Sequence, residues 1–218
     1  MSQESTSVLA ILDLRQQRRT LIVGVAVAAP IMLLLGWSVY LGTATINGVM
    51  PPLERLSFAL RCIAVAVLLG LLPAIEAVSH ERLSSQAIDP LEGTETRRLR
   101  VNLRYLQNTL EQTVLFASGL LGLAGYSTSP GAMRVVVATT VTWIVARWAF
   151  WIGYHVGPRF RGVGLTGMAQ SLLVLLYVCG RFGWEWGGPV GLGVTIGPFL
   201  AIELYLVAVT RRPPRPMG

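Results

Sequence analysis

Long apolar runs alternate with short polar links along this chain. The first run, Thr20–Leu41, has no charged side chain over 22 residues. Leu56–Val78 follows, with Arg61 near its start, Pro73 late in it and Glu76 near its end. Next come Val101–Tyr126, Met133–Tyr154 with Arg147 inside it, the shorter Leu165–Gly180, and Val190–Val209. Crossing a bilayer core takes about 20 apolar residues. The pattern therefore predicts an all-α, polytopic membrane helical bundle. The last run carries Pro198 and Glu203 among several glycines and is expected to be irregular or kinked. A broken helix of that kind makes a transporter one functional reading. Residues 1–19 form a polar N-terminal segment whose amphipathic piece, SVLAILDLRQQRR, is expected on the membrane surface, and residues 210–218 form a polar tail.

One run breaks the apolar pattern. Its opening stretch, RYLQNTLEQTVLF, sets Arg104, Asn108 and Glu111 at offsets of four and three residues. At 100° per residue they share an arc of about 60° on one helix face. A charge in the bilayer core costs at least roughly 2.5–3.5 kcal/mol on insertion scales, so that face belongs in the bundle or a wet cavity. The following run carries Arg147 and Tyr154 seven residues apart, again on one face. Counted from the helix ends, Glu111 and Arg147 both sit about 10 Å deep. They are expected to pair, directly or through a polar neighbour, which would offset the cost of burying either charge alone. Such polar groups serve either as interhelical glue or as a ligand site, and the spacing leaves both open.

Composition agrees with a membrane protein. Hydrophobic residues make up 53% of the chain and charged ones 13%, against about 25% charged in soluble domains. The net charge of +7 raises nucleic acid as a partner. The basic residues flank apolar runs instead of forming one stripe, so no nucleic-acid partner is expected. All 18 basic residues are Arg. Twelve fall in the segments that are cytoplasmic if the N-terminus is, against three in the outer ones. That bias places both termini in the cytoplasm. Composition without Lys points to a bacterial gene, hence a bacterial inner membrane. Cys62 and Cys179 lie inside apolar runs and offer neither metal spacing nor a disulfide framework. The first run is of full span length, and no cleavable signal peptide is expected.

RYLQNTLE and RWAFWIGY together resemble the membrane-associated proteins in eicosanoid and glutathione metabolism, the MAPEG family. The first stretch has the spacing R-x-x-x-N-x-x-E. The second has Arg followed seven residues later by Tyr. The likeness covers roughly residues 56–180, and NTLEQTVLF with FWIGYHVGPRFRGVGLT looks especially similar to the mattrin branch. It implies a four-helix core over 56–180, additional helices at 20–41 and 190–209, and assembly as a homotrimer in the lipid bilayer. It also implies glutathione as a possible co-substrate, with no metal, held by Arg104, Asn108, Glu111, Arg82 and Arg147. Tyr154 would line the site, and Arg161 would stabilise a thiolate, as cations do. A lipophilic small molecule would be the second substrate. Three positions depart from the catalytic pattern: Gln112 stands where relatives carry Tyr, Val114 where they carry Pro, and Phe150 where they carry a second Tyr. The leading expectation is a non-catalytic protein, or one with lost or altered glutathione chemistry. It would bind a lipid or peptide or stabilise a membrane assembly. A glutathione-dependent transferase or peroxidase is the alternative.

Overall fold

The computed structural model describes residues 3–44 and 46–210, with 3–15, 158 and 159 described by backbone alone. The predicted tail beyond Thr210 lies outside the described residues, which include no strand. Helix α1 is Gln3–Gly42, α2 Pro52–Ala66, α3 Leu72–Leu83, α4 Arg97–Tyr126, α5 Arg134–Val156 and α6 Leu165–Thr210. A π turn, Val67–Leu71, joins α2 to α3, and a 3-10 segment, Pro158–Gly164, leads into α6. The amphipathic N-terminal piece is continuous with the first span, because α1 runs unbroken through both.

Four stretches are long and apolar enough to cross a membrane: Gln16–Gly42, Pro52–Leu83, Arg134–Val156 and Phe160–Thr210. The last folds back on itself. Gly187 and Gly188 leave the helical conformation, and Gly188 has φ +56° and ψ −138°, a combination open to glycine. Beyond this turn the two arms, 165–186 and 189–210, lie against each other. A Cβ on Gly183 would stand 2.6 Å from the Gly191 carbonyl oxygen, so only glycine lets the backbones come this close. The expected irregularity of the last run is thus a hairpin turn placed just before it.

Contacts fix the direction of each helix. Tyr105 of α4 reaches Gly70 while Arg98 reaches Glu81, so α2–α3 runs antiparallel to α4. Asn108 and Phe116 of α4 meet Arg147 and Trp143 of α5, again antiparallel. The first arm of α6 runs parallel to α4, with Val174 beside Gly119 and Glu185 beside Tyr126. Tyr40 of α1 lies on Arg134 of α5 at 4.6 Å. The chain therefore alternates in direction from one long helix to the next. One pole collects the start of α4, the end of α5 and the 3-10 segment. The opposite pole holds Tyr40, Tyr126, Arg134 and Glu185.

The most extensive of the buried clusters joins α2, α4 and α5. It includes Ala59, Phe116, Leu120, Val136 and Trp143, each 2% exposed or less. Phe116 and Trp143 stack at 4.6 Å. Nearer the α5 end, Tyr105 stacks on Trp151 at 5.1 Å and on Phe150 at 6.2 Å. These two stacks set the register of α5 against α4.

Candidate functional site: the polar seam of α4 and α5

Arg147 is fully buried, at 0% exposure. One terminal nitrogen donates to Asn108 Oδ1 at 2.8 Å and the other to the Gly164 carbonyl at 2.8 Å. Its plane lies 5.3 Å from the Phe150 ring and 5.9 Å from that of Trp143. Gly167 sits against it, 3.3 Å from a guanidinium nitrogen were a Cβ added. Arg147 thus ties α4, α5 and the entry to α6 together, and among the described residues it has no acidic partner.

The expected pairing of Glu111 with Arg147 is not made directly, and no bond from Asn108 carries it on to Glu111. Glu111 is exposed and accepts from Gln107 Nε2 at 3.3 Å. Two physical reasons separate the pair. The aromatic stacks bring Arg147 level with Asn108, nearly a turn short of Glu111. Three residues further along α4, Glu111 is also rotated about 60° away from Asn108.

Gln107 links the exposed face. Arg104 donates to Gln107 Oε1 at 3.3 Å, and Gln107 donates to Glu111. All three are exposed, along a helix face that otherwise presents Leu110, Val114 and Leu115. Spacing contained this signal, since Gln107 is three residues after Arg104 and four before Glu111, both contact distances on a helix.

Arg161 lies in the 3-10 segment with its guanidinium 5.9 Å from the ring of Tyr154. These two predicted residues come together. No hydrogen bond or ion pair among the described residues joins them to Arg104 or Glu111. Arg82 sits in the last turn of α3, and its Nε is buried without a hydrogen-bond partner. Gln112 and Phe150 are both buried, each 5% exposed.

Other residues complete the seam. Asn102 accepts from Trp151 Nε1 at 3.0 Å, lies 2.9 Å from His155 Nε2 and donates to the Ala77 carbonyl at 3.5 Å. Arg97 reaches the His155 carbonyl at 3.4 Å, and Arg98 pairs with Glu81 at 3.0 Å. The π turn is held from both sides. Tyr105 donates to the Gly70 carbonyl at 3.2 Å and Trp148 to that of Leu69 at 2.7 Å. Pro73 has no N–H to offer Leu69 four residues earlier, so the indole supplies a donor in its place.

Residues 58–182, more than half of the chain, match the MAPEG family. The chain belongs to the MAPEG family. The matched region runs from α2 to the first arm of α6 and contains the whole Arg104–Arg161 set, while α1 and the second arm lie outside it. No curated protein and no solved structure matches the chain. Family membership and the apolar helices together make it an integral membrane protein. Among the described residues no three His, Cys, Asp or Glu side chains gather into a metal site.

Proposed function

We propose that this MAPEG protein binds an anionic peptide of the glutathione type where two copies of the chain meet, and that its thiol chemistry is altered. The exposed Arg104–Gln107–Glu111 chain carries this reading. Helix α4 is not one of the four stretches apolar enough to cross a membrane, but it packs against α2–α3 and α5, which are, and a carboxylate and a guanidinium facing outward there need a polar partner. Arg147 does not supply one: it is buried inside the chain, and its two terminal nitrogens bond Asn108 and Gly164. A neighbouring copy in a homotrimer, with a zwitterionic ligand between, would satisfy both charges.

The donor set suits such a ligand. Arg104, Arg161 and Arg82 offer guanidinium groups for carboxylates, with which Arg pairs well. The unpartnered Nε of Arg82 is a donor in want of an acceptor. Glu111 would take an ammonium group. The set keeps the Tyr154 hydroxyl but lacks two others: Phe150 has none, and Gln112 is turned inward. Asn108 is committed to Arg147. Binding without efficient thiol activation follows. The Arg97–His155 pole would face the cytoplasm, where the arginine bias places it.

Calorimetry of the purified protein with millimolar glutathione tests this. We expect binding and a raised melting temperature, both lost in Arg104→Ala and Glu111→Gln. No heat and no thermal shift in the wild-type protein would overturn the reading. A second reading, a glutathione transferase or peroxidase acting on lipophilic electrophiles, rests on one observation: Arg161 remains beside Tyr154. Turnover of a standard electrophile that disappears in Arg161→Ala would favour it.

A further inference from the structure

Arg61 of α2 and Glu203 in the second arm of α6 are lone charges in membrane-crossing stretches. Both are exposed, and among the described residues neither has a hydrogen bond or an ion pair. Ionisable groups at membrane depth almost always pair with one another or face a wet cavity. Arg61 lines a groove of about 410 Å³ between α2 and α5 and is the single charged residue in its wall. Val65 and Leu69 continue that wall, and Val137, Val141 and Val145 form the facing one. Glu203 belongs to a bare stretch: residues 200–210, LAIELYLVAVT, are all exposed, and Glu203 is their one charge. This stretch lies beyond the family-matched region.

The two charges stand at one depth. Trp148 of α5 bonds the Leu69 carbonyl. Helices α2 and α5 run in the same direction, so eight residues back from that bond Arg61 falls level with Thr140. Gln170 of the first arm of α6 bonds the Thr139 carbonyl, which puts Ser171 at that level too. In the hairpin Gly180 lies against Leu192 and Ile196. Nine residues from that contact towards the cytoplasmic pole, Ser171 comes level with Glu203. Arg61 and Glu203 thus differ in depth by about 3 Å, two residues at 1.5 Å each. They cannot meet within the chain, because α2 and α6 are not in contact among the described residues.

A second copy of the chain answers all of these features. We infer that the end of α6 from one copy docks on the α2–α5 groove of the next, with its Glu203 carboxylate on the neighbour's Arg61 guanidinium. A ring of copies around an axis normal to the membrane keeps every residue at its own depth, so each side chain meets only partners of equal depth. Equal depth and opposite charge are what such a contact requires. Because the two surfaces differ, the contact repeats head to tail and closes the ring. A lipid phosphate would satisfy Arg61 but leave Glu203 unpaired in hydrocarbon, whereas one contact between copies satisfies both. The pairing needs a neighbouring copy but no ligand, and so goes beyond the glutathione reading.

Exchanging the charges tests it in the full-length protein, read as dissociation of the oligomer on dilution in detergent. Arg61→Glu and Glu203→Arg should each weaken assembly about a hundredfold, because each sets like charges against one another. Arg61→Glu combined with Glu203→Arg should restore most of that loss. A cross-link serves if either single variant fails to fold. Two differently tagged chains, both with Cys62→Ala and Cys179→Ala, carry Arg61→Cys and Glu203→Cys respectively. A bifunctional thiol reagent as long as an Arg–Glu pair should join one tag to the other when the chains are co-expressed, and neither chain expressed alone should cross-link. Single variants that assemble as tightly as the wild type would overturn the inference. So would a loss that the exchange does not recover, which would give Arg61 to a lipid phosphate, or co-expressed tags that stay unlinked. Neither readout uses glutathione, so a failed exchange in an intact oligomer removes this contact alone.

Discussion

Arg147 of α5 donates to Asn108 of α4 at 2.8 Å, across 39 residues of chain, with no carboxylate in reach. Interhelical hydrogen bonds in membranes average only about 0.6 kcal/mol, but stranding a buried charge costs roughly 3–5 kcal/mol. Arg147 would still hold the Gly164 carbonyl. Asn108→Leu should therefore lose an intermediate amount, about 2–3 kcal/mol, in denaturant or thermal unfolding. Adding Arg147→Met should recover most of it, because the charge goes too. A single-variant loss no larger than the average interhelical bond would mean that the guanidinium finds water there.

Glu111 should behave in the opposite way. It is exposed, and its one bond is to Gln107 on its own helix. Glu111→Gln should change subunit stability by no more than about 0.5 kcal/mol, as surface substitutions do. It should nevertheless remove any thermal shift produced by glutathione. A stability loss matching that of Asn108→Leu would show that Glu111 has a structural partner.

The contrast between these two residues marks how far the sequence could be read. Apolar run length located the helices, because span length is set by the bilayer and not by tertiary detail. Helical spacing put Arg104, Asn108 and Glu111 on one side of α4, but an arc of 60° is wide enough to reach two neighbours. Which of them meets Arg147 depends on register, and register is set by Phe116 on Trp143 and Tyr105 on Trp151. Those stacks join residues distant in sequence, so counting depth from helix ends missed them. Asn102 was overlooked because its bonds to Trp151 and His155 cross to another helix.

Trp148 and Pro73 should be coupled. The indole donates to Leu69, whose carbonyl lacks the donor that a residue other than proline would supply at position 73. Trp148→Phe should cost about 1 kcal/mol in the wild-type background. In Pro73→Ala the new backbone N–H can take over that carbonyl, and the same substitution should cost far less. Equal costs in both backgrounds would remove the compensating role of the indole.

Gly188 decides whether the 46 residues of α6 form one rod or a hairpin. Its φ of +56° with ψ −138° is a conformation side chains resist, so Gly188→Ala should cost about 1–3 kcal/mol. Gly187 has φ −152° and ψ 24°, outside the left-handed region, so alanine there is the milder change. Folded back, a Cβ at position 180 lies 3.3 Å from Leu192 Cδ1. In a continuous helix those positions would be about 18 Å apart, well beyond the reach of a disulfide. Gly180→Cys with Leu192→Cys, made after Cys62 and Cys179 are replaced by alanine, should therefore oxidise to an intramolecular bridge. Adding Gly188→Ala should slow that oxidation. Failure to bridge in the presence of Gly188, with oxidant in excess, would favour the straight rod.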